Sequence, residues 1–130
     1  MAKKRVFIVD DESGFTRLLK LTLEKTGQYL VREINDGTNA WLEAREFHPH
    51  IIFLDIVMPK IDGGDVAQKI RSDPSLAHIP IVFLTAIVSE RETDDEIGGF
   101  PFLAKPVSLE TLTRCIEEHT GGSAEPAAAD

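Results

Sequence analysis

The sequence predicts an α/β fold: a parallel sheet with helices on both faces. Three observations carry this. Short apolar runs rich in β-branched residues alternate with amphipathic stretches along almost the whole chain, the connections between them are short, and the strand-then-helix unit repeats five times. Successive parallel strands need a crossover, which a helix supplies, and right-handed crossovers leave few topologies.

Val6-Phe7-Ile8-Val9 reads as a buried strand stopped by acids. Phe15, Leu18, Leu19, Thr22 and Leu23 then recur at helical spacing, and Gly27 is a stop signal. Leu30 to Ile34 reads as a second strand. Asp36-Gly37 is a turn, Ala40, Ala44 and Phe47 make the apolar face of a second helix, and Pro49 ends it. Ile51-Ile52-Phe53-Leu54 is a fully apolar strand ending in Asp55, and Met58-Pro59 and Asp62-Gly63-Gly64 form a loop. Val66, Ala67 and Ile70 face inward from a third helix that Asp73-Pro74 terminates. Ile79 to Leu84 is an apolar strand ending in Thr85. Ser89 to Ile97 predicts a fourth helix, with Ser89 and Glu92 in capping-box spacing. Phe102-Leu103-Ala104 is a last short strand before Lys105-Pro106; Ser108 caps a final helix with Leu109, Leu112 and Ile116 on one face, and Gly121-Gly122 ends it. The predicted organisation is one domain over residues 1–120 and a small-residue tail over 121–130.

Composition narrows the function classes. The chain has 130 residues, 42% hydrophobic and 28% charged, which suits one ordinary globular core. A net charge of −8 argues against a nucleic-acid surface built on phosphate neutralisation and permits a basic partner or a bound cation. Cys115 stands alone, so it forms no internal disulfide and reads as a packing or surface thiol. No apolar run approaches membrane-spanning length, and the basic start turns straight into a strand instead of a signal-peptide core. Together these predict a cytoplasmic protein without membrane insertion.

The strand ends carry the chemistry. The first ends in Asp10-Asp11, the third in Asp55, the fourth in Thr85 and the fifth in Lys105. In parallel α/β sheets ligands bind beyond the carboxyl ends of the strands. Three carboxylates gathered there repel one another unless a cation intervenes, and Mg2+ is a hard ion satisfied by a few carboxylates and waters. An Asp can also act as a nucleophile toward phosphorus, while an ammonium and a hydroxyl stabilise the charge on a transferred phosphoryl group. Taken singly, each residue is an ordinary cap, turn or strand residue; the convergence at successive strand ends is what points to a site.

Asp10-Asp11, Asp55-Ile56-Val57-Met58-Pro59 with Asp62-Gly63, Thr85-Ala86 and Lys105-Pro106 closely resemble the receiver domains of bacterial two-component response regulators. The resemblance runs from about Lys4 to about Glu118. It implies a flavodoxin-like, doubly wound, five-stranded parallel sheet in the order 2-1-3-4-5. It implies Asp55 as phosphoacceptor and Mg2+ held by Asp10, Asp11, Asp55 and the backbone carbonyl of Val57. Lys105 and Thr85 would contact the phosphoryl oxygens, Phe102 would be the aromatic switch, and the Lys105-Pro106 bond would be cis. The implied partners are a sensor histidine kinase or histidine phosphotransfer protein and a downstream protein target, with no direct nucleic-acid contact. The implied activity is self-catalysed phosphotransfer and autodephosphorylation, not enzymatic turnover of an external substrate.

Two features depart from the family pattern. The segment between Thr85 and Lys105 is short, and its predicted helix has six charged residues of nine with one apolar residue. So thin a stripe predicts a helix that is short or mobile, against the alternative of a solvated helix held by its caps. Val57 and Ile87, two positions after Asp55 and Thr85, are apolar where the family's hydrolysing water passes, which predicts slow dephosphorylation.

Other readings compete. An Asp-nucleophile, Mg2+-dependent phosphatase needs a second acid two residues on, where Val57 stands. A receiver-like docking module expects a lost acid or lysine, yet all are present. A nucleotide-binding module expects a Gly-rich loop after the first strand, and none follows. His48, His50, His78 and His119 are scattered and form no ligand set. With only a short tail after the last helix, the expectation is a chain that acts through protein contacts, relays phosphate onward, or was cut from a longer regulator.

Overall fold

In the computed structural model, residues 2–86 and 96–121 are described. The elements are β1 (Lys4–Val9), α1 (Ser13–Lys25), β2 (Tyr29–Ile34), a 3₁₀ turn (Gly37–Asn39), α2 (Ala40–Phe47), β3 (Ile51–Asp55), α3 (Gly63–Arg71), β4 (Ile81–Thr85), β5 (Glu96–Ile97), β6 (Phe100–Ala104) and α4 (Leu109–Thr120). The sheet order is β2-β1-β3-β4-β6-β5. The first five of these strands are parallel, and β5 joins the edge antiparallel to β6.

Strand alternation divides the core in two. Phe7, Val9, Ile52, Leu54, Ile81 and Phe83 point to one face, where Ala40 and Ala44 of α2 and Val66, Ala67 and Ile70 of α3 cover them. Val6, Ile8, Ile51, Phe53, Val82 and Leu84 point to the other, covered by Leu19 and Leu23 of α1 and Leu112, Cys115 and Ile116 of α4. Strands buried on both faces have no polar alternation, which is why β3 and β4 read as unbroken apolar runs.

Caps set several boundaries. Asp36 accepts the Thr38 N–H, Asp62 accepts the Gly64 N–H and Ser108 accepts the Thr111 N–H, each supplying an acceptor to a helical first turn. His48 ends α2 in the left-handed region at φ 53°, before Pro49. Pro80 has no N–H to give, and β4 begins at Ile81 instead of Ile79.

Three expectations change. Leu18 and Thr22 do not line the buried face of α1: Leu18 is 63% exposed, and Thr16 is buried in that face. The sheet has a sixth strand, and the last long strand begins at Phe100 instead of Phe102. The predicted helix 89–97 does not extend over Glu96-Ile97; these pair as β5 with Phe100-Pro101 across Gly98-Gly99. Both glycines have positive φ (59° and 88°), the backbone a two-residue hairpin turn requires. The rest of that helix, with Ser89 and Glu92, and the tail beyond Gly121 lie outside the described residues.

Candidate functional site

Sheet register assembles the rim. Val9 pairs with Leu54, so Asp10 emerges beside Asp55 at the carboxyl edge. Asp55 pairs with Leu84 and Thr85 with Ala104, so Thr85 and Lys105 each lie one step further on. The Lys105 N–H donates to the Thr85 carbonyl at 2.9 Å, which ties the two strand ends together.

Asp10, Asp11 and Asp55 offer carboxylate oxygens that all lie within 4.8 Å of one another. Asp10 is fully buried, Asp55 is 7% exposed and Asp11 faces solvent. Lys105 is the facing cation: its Nζ lies 2.6 Å from Asp10 Oδ2, 3.3 Å from Glu12 Oε1 and 3.9 Å from Asp55 Oδ1. Burial and then the Asp10 charge push the Asp55 carboxyl up to about 6; Lys105 opposes this and Asp11 adds to it. Burial alone would lower the Lys105 ammonium, but its bond to Asp10 and the charges of Asp10 and Asp55 outweigh that and hold it above its ordinary value. The site is therefore short of positive charge. Three clustered carboxylates with one shared ammonium suit a hard divalent cation, and all the donors are oxygens.

Above these groups a cleft of about 270 Å³ is lined by Asp11, Glu12, Asp55, Val57, Thr85, Ala86 and Lys105. Val57 is 62% exposed, at the start of a loop closed by a bridge to Asp62. Gly63 lets that loop pass: its N–H bonds the Ile56 carbonyl at 2.7 Å, and a Cβ there would collide with the Asp55 backbone. Thr85 is buried at the cleft wall. The Lys105-Pro106 peptide is cis.

Not every residue singled out from sequence converges here. Phe102 pairs with Phe83 in the sheet and lines a separate groove with Cys115 and His119. Among the described residues no histidine joins the acid cluster: His50 Nδ1 accepts the Arg5 N–H, His119 Nδ1 lies 2.9 Å from the Cys115 carbonyl, His48 is a helix terminus and His78 is exposed between α3 and β4. Cys115 is buried, and burial pushes its thiol up to about 11, which keeps it unreactive near neutral pH. Ile87 lies outside the described residues.

Three site residues escaped the sequence reading. Glu12 lines the cleft and reaches Lys105. Asn35, just past β2, donates to the Asp10 carbonyl at 2.7 Å and to Thr16 Oγ1 at 2.9 Å, bracing the acid-bearing loop. Asn35 sits at a strand's carboxyl end, so the strand-end rule would have found it had the second strand been included. Phe15, counted among apolar helix residues, places its ring centroid 4.5 Å from Lys105 Nζ.

Comparison with known proteins agrees with this geometry. The profile of the family described as "Response regulator receiver domain" matches residues 6–117. The chain is 40% identical over 119 residues to a probable transcriptional regulator, ycf27, of Galdieria sulphuraria, covering 88% of this chain and 45% of that protein. It is 34% identical over 113 residues to the DNA-binding dual master transcriptional regulator RpaA of Synechocystis, covering 83% of this chain and 45% of that protein. The chain thus spans a little under half the length of these relatives. Among solved structures, the chemotaxis protein CheY4 of Vibrio cholerae superposes with a TM-score of 0.79 at 27% identity, covering 90% of this chain and 98% of that one.

Proposed function

Because the chain belongs to the response regulator receiver domain family, we propose that it is a phosphorylation-driven switch in which Asp55 accepts the phosphoryl group. Receiver domains are signalling modules that work with histidine kinases, not enzymes that turn over an external substrate. The observation that carries the assignment of Asp55 is the meeting of three carboxylates within 4.8 Å beside a lysine.

Chemistry at the rim follows from its charges. A carboxylate oxygen of Asp55 attacks the phosphorus of a donor phosphohistidine. The P–N bond breaks, and its electron pair returns to the donor imidazole. Lys105 leaves its bond to Asp10 and pairs with the phosphoryl oxygens, and the Thr85 hydroxyl donates to one of them. Asp10, Asp11, Asp55 and the Val57 carbonyl would hold Mg2+, which would supply neutralising charge to the carboxylates and to the transferred group. The new group brings about −1.5 to −2 charge to a rim already short of cations. Thr85 moving toward it opens space that Phe102 turns to fill, which relays the event along β4 and β6.

The partners we propose are a sensor histidine kinase or a phosphotransfer protein upstream and a protein target downstream, in the cytoplasm. Among the described residues no helix is long and apolar enough to cross a membrane. The transcriptional regulators it resembles are about twice as long, and the net charge of −8 argues against direct nucleic-acid contact by this chain. The phosphatase alternative is not favoured, since Val57 offers no second acid.

Incubation with acetyl phosphate and Mg2+, followed by intact-mass and peptide spectrometry, tests the proposal. A phosphoryl adduct on Asp55 is expected, lost in Asp55→Asn and in chelator; an adduct elsewhere, or none, overturns it. Apolar Val57 at the cleft holds water poorly, so the adduct is expected to persist for minutes or longer, and a lifetime of seconds in Mg2+ buffer would contradict that.

A further inference from the structure

We propose that Phe15 is a positioning residue for Lys105, its ring carrying the ammonium at the edge of the carboxylate cluster. The inference rests on the reading of Asp55 as phosphoacceptor and Lys105 as its cationic partner. Lys105 Nζ stands 4.5 Å from the Phe15 ring centroid, within the range in which a cation is drawn to an aromatic face. The lysine side chain is 12% exposed, so little water competes for it.

The surrounding groups explain why a ring matters there. Nζ is pulled closest to Asp10, at 2.6 Å, and stands 3.9 Å from Asp55. Its third carboxylate, Glu12, is 66% exposed and draws it outward. Were Asp10 to hold a divalent cation, Lys105 would lose the shortest of these contacts. The ring is uncharged and does not bind the cation, so its hold on Nζ survives that exchange. Its place is set by the backbone: Phe15 lies in the first turn of α1, whose Leu19 and Leu23 are buried against the sheet, and Phe15 packs on the same core cluster. With a leucine in its place the ammonium gains water and drifts toward Glu12, away from the phosphoryl position.

The test pairs a rate with a spectroscopic signature. Phe15→Leu keeps an apolar side chain but removes the ring. Its rate of Asp55 phosphorylation by acetyl phosphate, at saturating Mg2+, is expected to fall about three- to tenfold, the range that about 1 kcal/mol of cation–π attraction supports. Phe15→Tyr, which keeps the ring, is expected to restore the rate to within about twofold of the parent. In the metal-free parent protein the ε-methylene protons of Lys105, assigned by their loss in Lys105→Met, should resonate upfield of other lysines because of the ring current. In Phe15→Leu they should return to the ordinary position. A Phe15→Leu rate equal to the parent at saturating Mg2+, or an unshifted Lys105 resonance in the parent, overturns the proposal. The resonance needs no variant at position 15 to fold. If the parent takes no phosphoryl group at all, the reading of Asp55 fails, while the resonance still decides whether the ring holds the lysine.

Discussion

Two polar clusters cap the sheet at opposite ends of β1, and they differ in charge balance. At the amino end, Lys4 is 2% exposed and donates to Glu117 Oε1 at 2.8 Å and Thr120 Oγ1 at 2.7 Å, while the Tyr29 hydroxyl donates to Glu117 Oε2 at 2.8 Å. One cation meets one anion, and both carboxylate oxygens are taken. At the carboxyl end, Asp10, Asp11 and Asp55 share Lys105. The bond from Lys4 holds the Glu117 carboxyl below its ordinary value, whereas burial and Asp10 push Asp55 up to about 6. A balanced cluster fastens α4 to β1 and β2. An unbalanced one is a standing demand for cations, and that demand is the basis of the proposed function.

The largest expected effect comes from relieving the imbalance. Asp55→Asn should abolish phosphoryl transfer and yet stabilise the metal-free protein at pH 8 by about 2–3 kcal/mol, the scale of a two-unit shift. The sign follows from the protonation of each state. An unfolded Asp55 ionises near 3.8 and the folded one near about 6, so between these values the unfolded state sheds its proton first. Stability of the metal-free protein therefore falls as pH rises from about 4 to about 6, and the deficit persists above that. Thermal unfolding in chelator across this window should show the fall in the parent protein and lose it in Asp55→Asn, and Mg2+ should flatten it in the parent. A metal-free Asp55→Asn no more stable than the parent would break the contrast between the two ends.

Breaking the balanced end should act in the opposite sense. Lys4→Met leaves Glu117 without its cation and Thr120 without a donor, and should cost about 2 kcal/mol, or about 8 °C in Tm for a domain of this size. The figure stays below that of a fully buried pair because the Glu117 side chain is 40% exposed. Mg2+ affinity, read by calorimetry, should stay within about twofold of the parent, because the altered groups sit at the far end of β1. A marked loss of Mg2+ binding would show that the two ends are coupled.

The two ends also differ in how legible they were. Asp10, Asp55, Thr85 and Lys105 could be read because each directly follows an apolar run, with Asp11 next after Asp10, and a strand's end fixes the edge on which the next residue emerges. Lys4 and Glu117 lie 113 positions apart. A lysine in a basic N-terminal stretch and a glutamate on an amphipathic helix both read as solvated, and no periodicity reports that they meet. Phe15 escaped for a related reason: helical spacing placed it on an apolar face, but that Lys105, just past the end of β6, stands over its ring is decided by tertiary packing. The central strands β1, β3 and β4 were legible because burial on both faces leaves unbroken apolar runs. The short β5 was not, since a period of 3.6 was laid over Glu96-Ile97, although Gly98-Gly99 between two apolar residues is itself a hairpin signal.

The smallest expected effect isolates one bond of the balanced end. Tyr29→Phe removes the hydroxyl that donates to Glu117 Oε2 and leaves the Lys4 contact to Oε1 in place. The ring stays, 2% exposed in the core, so packing is conserved and the loss should be that of a single hydrogen bond to a partly exposed charged acceptor, about 1.5 kcal/mol. Glu117 also loses one of the bonds that lower its carboxyl, so its titration should move upward while Lys4 keeps it below the ordinary value. Carboxyl-carbon NMR across the acidic range reads that movement directly. A titration that does not move would mean that Lys4 alone balances Glu117 and that the tyrosine hydroxyl only fills space.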